Sequence, residues 1–155
     1  MSEGPEISFR DARRNELGKI IQLLADDPMG ATRETSASVP DAQYIAAFDA
    51  IQVDPNNRLI VAVIGDEVVG CLQLTFIPGL SRNGATRGQI ESVRIARHLR
   101  GRGVGQRFFE WTIEECRTHG CQMIQLTTDR SRKDAHRFYE RLGFDATHDG
   151  MKLVF

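Results

Sequence analysis

The sequence predicts a mixed α/β fold, built as one domain over residues 6–155 behind a flexible N-terminal stretch at residues 1–5. Three observations carry that expectation. Segments with a period of two alternate along the chain with segments of helical period, and no linker, repeat or low-complexity tract divides them. Two strand-like runs, residues 58–64 and 68–77, are separated only by Gly65-Asp66-Glu67, a hairpin signature. A glycine-rich turn, RGRGVG at 100–105, then stands between a strand-like run and a long helical one.

The elements follow in order. Residues 6–10 alternate as a short strand, and residues 13–26 place Leu17, Ile20, Ile21 and Leu24 on one helical face. A polar loop fills residues 27–40, after which Asp41 caps a second helix reaching about Val53, with Tyr44, Ile45 and Phe48 inward. Pro55-Asn56-Asn57 makes a turn into the hairpin strands. A second polar loop at 78–87 leads to a strand at 89–96, the glycine turn, and a helix to about Thr118. A strand at 121–128, a helix at 132–142 and a final strand or hairpin at 144–155 complete the chain.

Composition narrows the function. A chain of 155 residues buries roughly 68–70% of its unfolded surface, enough for a core of its own. Its 20 Lys and Arg against 21 Asp and Glu leave a formal net charge of −1, which speaks against a dedicated nucleic-acid binder. The longest apolar run, residues 59–64, falls far short of the about 18 residues a membrane span needs. The start, MSEGPEISFR, is polar and acidic rather than a secretory leader, so a cytoplasmic location is expected. Cys71, Cys116 and Cys121 are an odd count without CxxC spacing, each in an apolar periodic segment, and read as reduced packing residues. Seventeen of the 20 basic residues are arginine, several of them between positions 94 and 107, which leaves room for a local anion site.

That site coincides with the glycine turn. A helix N-terminus presents unpaired N–H groups and the positive end of the helix dipole. Gly101, Gly103 and Gly105 let a phosphate approach those amides, and Arg100 and Arg102 add positive charge. The expected ligand is a pyrophosphate; the structural alternative is a tight strand-to-helix turn and nothing more. A P-loop is excluded, because no GxxxxGK[ST] is present. A dinucleotide fingerprint fits poorly. The spacing is GxGxG, although Asp129 follows the next strand, and too little chain remains for a second mononucleotide half.

Two motifs in register resemble the GNAT superfamily of acetyl-CoA-dependent N-acetyltransferases. Arg100, Gly103 and Gly105 match R/Q-x-x-G-x-G/A in full. Downstream, DAHRFYERLGF at 134–144 is similar to A-x-x-x-Y-E-x-x-G-F, with Ala135, Tyr139, Gly143 and Phe144 in place. The resemblance covers essentially all of residues 6–155. It implies a central, mixed but mostly antiparallel sheet flanked by about four helices, with parallel strands at 89–96 and 121–128 splayed apart. It further implies that the pantetheine arm of acetyl-CoA pairs with the backbone around Val93, Arg94 and Ile95. The pyrophosphate would rest on the amides of Gly101, Arg102, Gly103, Val104, Gly105 and Gln106. Where the family often carries Asn before the second motif this chain has Arg132; it or Lys133 reaches CoA phosphates or faces solvent.

Acetyl transfer to an amine needs a neutral nucleophile, whereas alkyl amines have pKa values near 10. The resemblance makes Tyr139 the proton donor to the departing thiolate; the alternative is a core residue, since Ala135, Phe138, Tyr139 and Leu142 form one helical stripe. Glu91 interrupts an apolar strand just before the cofactor segment and is the candidate base, expected to be buried with a raised pKa. Its alternatives are an ion pair with Arg87 or Arg94, or plain exposure. A backbone N–H near Val93 would meet the oxyanion. The acceptor pocket falls to the loops at 27–40 and 78–87 with parts of the second helix. Asp26, Asp27 and Glu34 nearby are acids able to attract a cationic amine, the alternative being plain solubilising exposure.

His98, His119, His136 and His148 show no ligand spacing and no metal is expected; Ser36, Ser38 and Ser81 lie in loops without a GxSxG elbow. The expected partner is a small-molecule amine, with no nucleic acid or membrane. A homodimer through strand edges or the last strand is compatible with the sequence. The rival functions are a CoA-binding sensor without turnover and, less favoured, a nucleotide-binding protein.

Overall fold

The computed structural model describes residues 6–34 and 40–155. The stretch at 1–5 expected to be flexible, and the middle of the first polar loop with Ser36 and Ser38, lie outside the described residues. The chain divides into two compact units, one running to Gln125 and one from Leu126 onward.

The first unit is built on a five-stranded sheet in the order β1-β2-β3-β4-β5. Its strands are β1 (Ile7–Asp11), β2 (Asn57–Ile64), β3 (Glu67–Pro78), β4 (Thr86–Ile95) and β5 (Met123–Gln125). All neighbours are antiparallel except β4 and β5, which run parallel. This is the mixed, mostly antiparallel sheet expected. The helices of this unit are α1 (Leu17–Ala25), the single turn α2 (Gly30–Arg33), α3 (Ala42–Val53), the single turn α4 (Ser81–Gly84) and α5 (Val104–His119).

The periodicities account for the packing. Leu17, Ile20, Ile21 and Leu23 of α1 are buried, as are Ile60, Val61, Leu72, Leu74 and Ile90 of the strands and Phe108 and Phe109 of α5. Phe9 of β1 stacks on Phe108 at 5.0 Å between ring centroids, so the first strand is fastened to the long helix by an aromatic pair. Asp41 caps α3 as expected, its Oδ1 accepting from the amides of Gln43 and Tyr44 at 3.0 and 3.2 Å. Gly65, at φ 59°, supplies the left-handed residue of the β2–β3 hairpin.

Three expectations are corrected. The strand expected at 121–128 is reduced to three residues. Cys121 is taken up in the cap of α5, its N–H donated to Cys116 O at 2.9 Å, and pairing with β4 ends at Gln89 opposite Gln125. Conversely β4 starts at Thr86 rather than Gln89, because its first residues pair with the end of β3. The final strand or hairpin at 144–155 is absent.

The second unit contains α6 (Lys133–Arg141), followed by the turn at Leu142 and Gly143. Beyond it Met151, Leu153, Val154 and Phe155 are exposed. An alternating pattern becomes a strand only with a ladder partner, and among the described residues none pairs with these.

Candidate active site

The strand that leads to the glycine turn carries a β-bulge. Glu91 pairs with Gln73 and Arg94 with Cys71, so Ser92 and Val93 together oppose Leu72 alone. Ser92 takes the extra residue's strain, with φ 56° in the left-handed region. Below it, the Cys71 thiol faces Ser92 O at 3.8 Å, and burial pushes that thiol up to about 12. Glu91 lies just before the bulge, in register with Gln73, and plain strand alternation turns it outward. Ile90 points inward, and both Glu91 and Ser92 are exposed, contrary to the buried carboxylate expected. Neither Arg87 nor Arg94 holds it: Arg87 Nη1 donates to Gln125 Oε1 at 3.4 Å, and Arg94 is committed to Asp27.

After β4 the chain makes one 3₁₀ turn, Arg97–Leu99, and then the glycine turn. Gly101 and Gly103 sit at φ 73° and 80°, where a side chain is strained, and nothing lies within 4 Å of where a Cβ would be. Gly103 is the N-cap of α5 and offers no side-chain cap. The first helical bond at this end runs from Arg107 N to Gly103 O at 3.1 Å, so the helix supplies no acceptor for the amides of Val104, Gly105 and Gln106. Val104 is buried and anchors the turn, whereas Gly101, Arg102, Gly103 and Gln106 are exposed. Backbone donors with open space above them suit a pyrophosphate.

Arg100 does something the sequence does not announce. Its Nε donates to Ile95 O at 3.0 Å and its Nη2 to Asp26 O at 3.0 Å, with Asp26 Oδ2 at 3.5 Å. The side chain braces the turn from behind instead of standing free for an anion. Arg97 joins it on Asp26 at 2.6 Å. Arg94 Nε and Asp27 Oδ2 form an ion pair at 2.7 Å, and Arg94 Nη1 donates to Val93 O at 2.9 Å. The carbonyls of Val93 and Ile95, expected to meet a pantetheine arm, are therefore each engaged by a guanidinium.

The acids assigned to amine attraction are occupied in the same way. Asp27 Oδ1 also accepts from the amides of Met29 and Gly30, at 2.9 and 2.6 Å, and Glu34 Oε2 accepts from Tyr44 OH at 2.6 Å. Sequence reasoning missed this clasp because its partners are about 70 positions apart.

In the second unit, Tyr139 is half-buried on α6 in edge contacts with Phe138 and Phe144, at 5.5 and 6.0 Å between centroids. Arg132 is the N-cap of α6 and is exposed; its amide donates to Asp129 O at 3.0 Å. The Ser131 hydroxyl, 2.5 Å from Asp129 Oδ1, holds that carboxyl below its usual range. Among the described residues no group of three or more His, Cys, Asp and Glu side chains stands together for a metal ion. No helix among them is long and apolar enough to cross a membrane.

Residues 19–144 match the model of the acetyltransferase (GNAT) family. The chain belongs to that family. Among GNAT relatives, it is 34% identical over 101 residues to the aminoalkylphosphonate N-acetyltransferase of Salmonella typhimurium, a stretch that spans 65% of each protein. It is 26% identical to the glucosamine 6-phosphate N-acetyltransferase of Arabidopsis thaliana, over 77% of this chain and 80% of that one. In three dimensions it resembles a transcriptional regulator of Bacillus halodurans C-125, with a TM-score of 0.94 and 45% identity over 97% of this chain and 100% of the other. The fold is thus that of the GNAT acetyltransferases, and N-acetyltransferases are among its relatives.

Proposed function

We propose that this protein transfers an acetyl group from acetyl-CoA to the primary amine of a small metabolite, by direct attack within a ternary complex. The observation that carries this reading is the start of α5, where Gly103 caps the helix with backbone alone beneath open space. The amides of residues 101–106, with the exposed Arg102, are assigned to the pyrophosphate, and Val93, Arg94 and Ile95 to the pantetheine arm. Arg100 positions the turn through Ile95 and Asp26 rather than touching the anion. Arg132 is assigned to a CoA phosphate.

Acetyl-CoA, when bound, supplies the activated acyl group. Glu91 accepts the proton the amine must lose; its exposure lets it work through water. A backbone N–H near Val93 meets the negative charge that grows on the carbonyl oxygen. Tyr139 returns a proton to the leaving thiolate. The named acceptors of two relatives, an aminoalkylphosphonate and glucosamine 6-phosphate, both join an amine to a phosphorus oxyanion. Amines of that kind head the screen. The protein's location is proposed to be cytoplasmic and its domain to span residues 6–155.

Thermal unfolding with saturating acetyl-CoA, CoA, NAD and ATP tests the cofactor. A ligand at about 100 times Kd adds about 2.7 kcal/mol, a shift on the order of 5 °C for a chain of this size. A shift with acetyl-CoA and CoA alone supports the reading, and amines are then screened by thiol release. A shift with NAD or ATP alone overturns it. One comparison favours a second reading, a CoA-binding regulator without turnover: the Bacillus halodurans protein of 0.94 TM-score is described as a transcriptional regulator. Cofactor binding with no thiol release across the amine screen would select it.

A further inference from the structure

Cys116 and Cys121 look unrelated in the sequence, but the end of α5 brings them together. Gly120, at φ 87°, donates its N–H to Arg117 O at 3.0 Å, and Cys121 donates to Cys116 O at 2.9 Å. This closing pattern normally seats an apolar residue beyond the helix against one in its last turn. Here both residues are thiols. Gly88 of β4 provides a further, independent observation. A Cβ at that position would stand 2.6 Å from Cys116 Sγ and 3.8 Å from Cys121 Sγ, so the strand passes both sulfurs where it has no side chain. Cys116 is 1% exposed and Cys121 is partly exposed, so a peroxide arriving from solvent meets Cys121 first.

We propose that Cys116 and Cys121 are an oxidation site that closes to an intramolecular disulfide on exposure to a peroxide. The Cys121 sulfur attacks the peroxide O–O bond, releasing one water and leaving a sulfenic acid. The Cys116 sulfur then attacks Cys121, expelling the hydroxyl as a second water. Two thiols and one hydrogen peroxide thus give one disulfide and two waters. Burial pushes both thiols above their usual range, Cys116 to about 12. Only the thiolate is nucleophilic, so the reaction quickens as the pH rises above neutrality.

Peptide mapping after hydrogen peroxide treatment of the folded protein decides the matter, because Arg117 lies between the two cysteines and trypsin separates them. The expected product is a pair of tryptic peptides joined through Cys116 and Cys121, lighter by two hydrogens and released by dithiothreitol. Cys71→Ser keeps the joined pair, since the Cys71 thiol faces Ser92 O elsewhere in the sheet. Cys116→Ser and Cys121→Ser each lose it. Sulfinic acid at Cys121 without linkage, linkage to Cys71, linkage only between two chains, or no change would each overturn the proposal. Mapping of the wild-type protein alone suffices if a variant does not fold.

Discussion

Asp27 and Arg94 form an ion pair 2.7 Å long whose side chains are only 13% and 12% exposed. The pair joins the segment after α1 to the strand assigned to the cofactor arm. Asp26 repeats the connection one residue earlier, through Arg97 and Arg100. The segment after α1 and the glycine turn are therefore held as one piece by three arginines spaced three apart.

Removing one partner of a buried pair leaves the other charge uncompensated, at a cost of about 3–5 kcal/mol. Asp27→Asn keeps the cap on Met29 and Gly30 but loses the charge, and should lower stability toward the smaller of those values. Urea unfolding measures it. The double variant with Arg94→Met should recover part of the loss; if the two losses simply add, the pair contributes no coupling.

Gly103→Ala places a Cβ on a left-handed residue and should cost roughly 1–2 kcal/mol with the fold retained. Gly103→Glu adds negative charge at the same amides and should remove the rise in Tm given by acetyl-CoA. An undiminished rise would dismiss the pyrophosphate assignment.

Tyr139→Phe should lower kcat by about 10²-fold while acetyl-CoA affinity stays level, the signature of a lost proton donor. Steady-state kinetics beside calorimetric binding checks both halves. A wild-type rate would make Tyr139 a packing residue among Phe138 and Phe144.

The Cys71 thiol gives a pH dependence of defined sign. It loses its proton near 9.0 when unfolded and only near 12 when folded, because burial disfavours the thiolate. Between those values the folded state binds the extra proton, so stability is full below pH 9 and falls as pH rises, by up to about 1.4 kcal/mol per pH unit. Thermal unfolding of Cys71→Ala between pH 9 and 11 should show a flatter decline than wild type.

Much of this was readable in the sequence because it is local. The Asp41 cap and the Gly65 turn depend on neighbours within a few positions and stand as expected, and the stripe of α1 holds for Leu17, Ile20 and Ile21, with Leu23 buried where Leu24 was expected. Glu91 was misread because a carboxylate interrupting an apolar strand suggested burial, whereas alternation beside buried Ile90 puts it on the exposed face. Asp26, Asp27 and Glu34 looked like free acids because their partners are set by the tertiary fold. The tail at 144–155 has a strand's alternation, but alternation does not provide a neighbour. The pairing of Cys116 with Cys121 was hidden for a different reason, since a five-residue spacing becomes a contact only once Gly120 turns the chain back.

The bulge at Ser92 leaves the ladder in step on both sides: Glu91 still meets Gln73, and Arg94 still meets Cys71. Ser92 is therefore surplus to the sheet. A chain lacking it could keep every flanking pair and be rid of a left-handed serine, so the sheet's own stability gives no reason to retain the residue. What it changes is the heading of β4 where the strand, past its last β5 pair at Gln89 and held by β3 alone, runs on toward the glycines. A one-residue deletion there would straighten the strand without unmaking the sheet, so the fold can be inherited without the direction in which this strand leaves it.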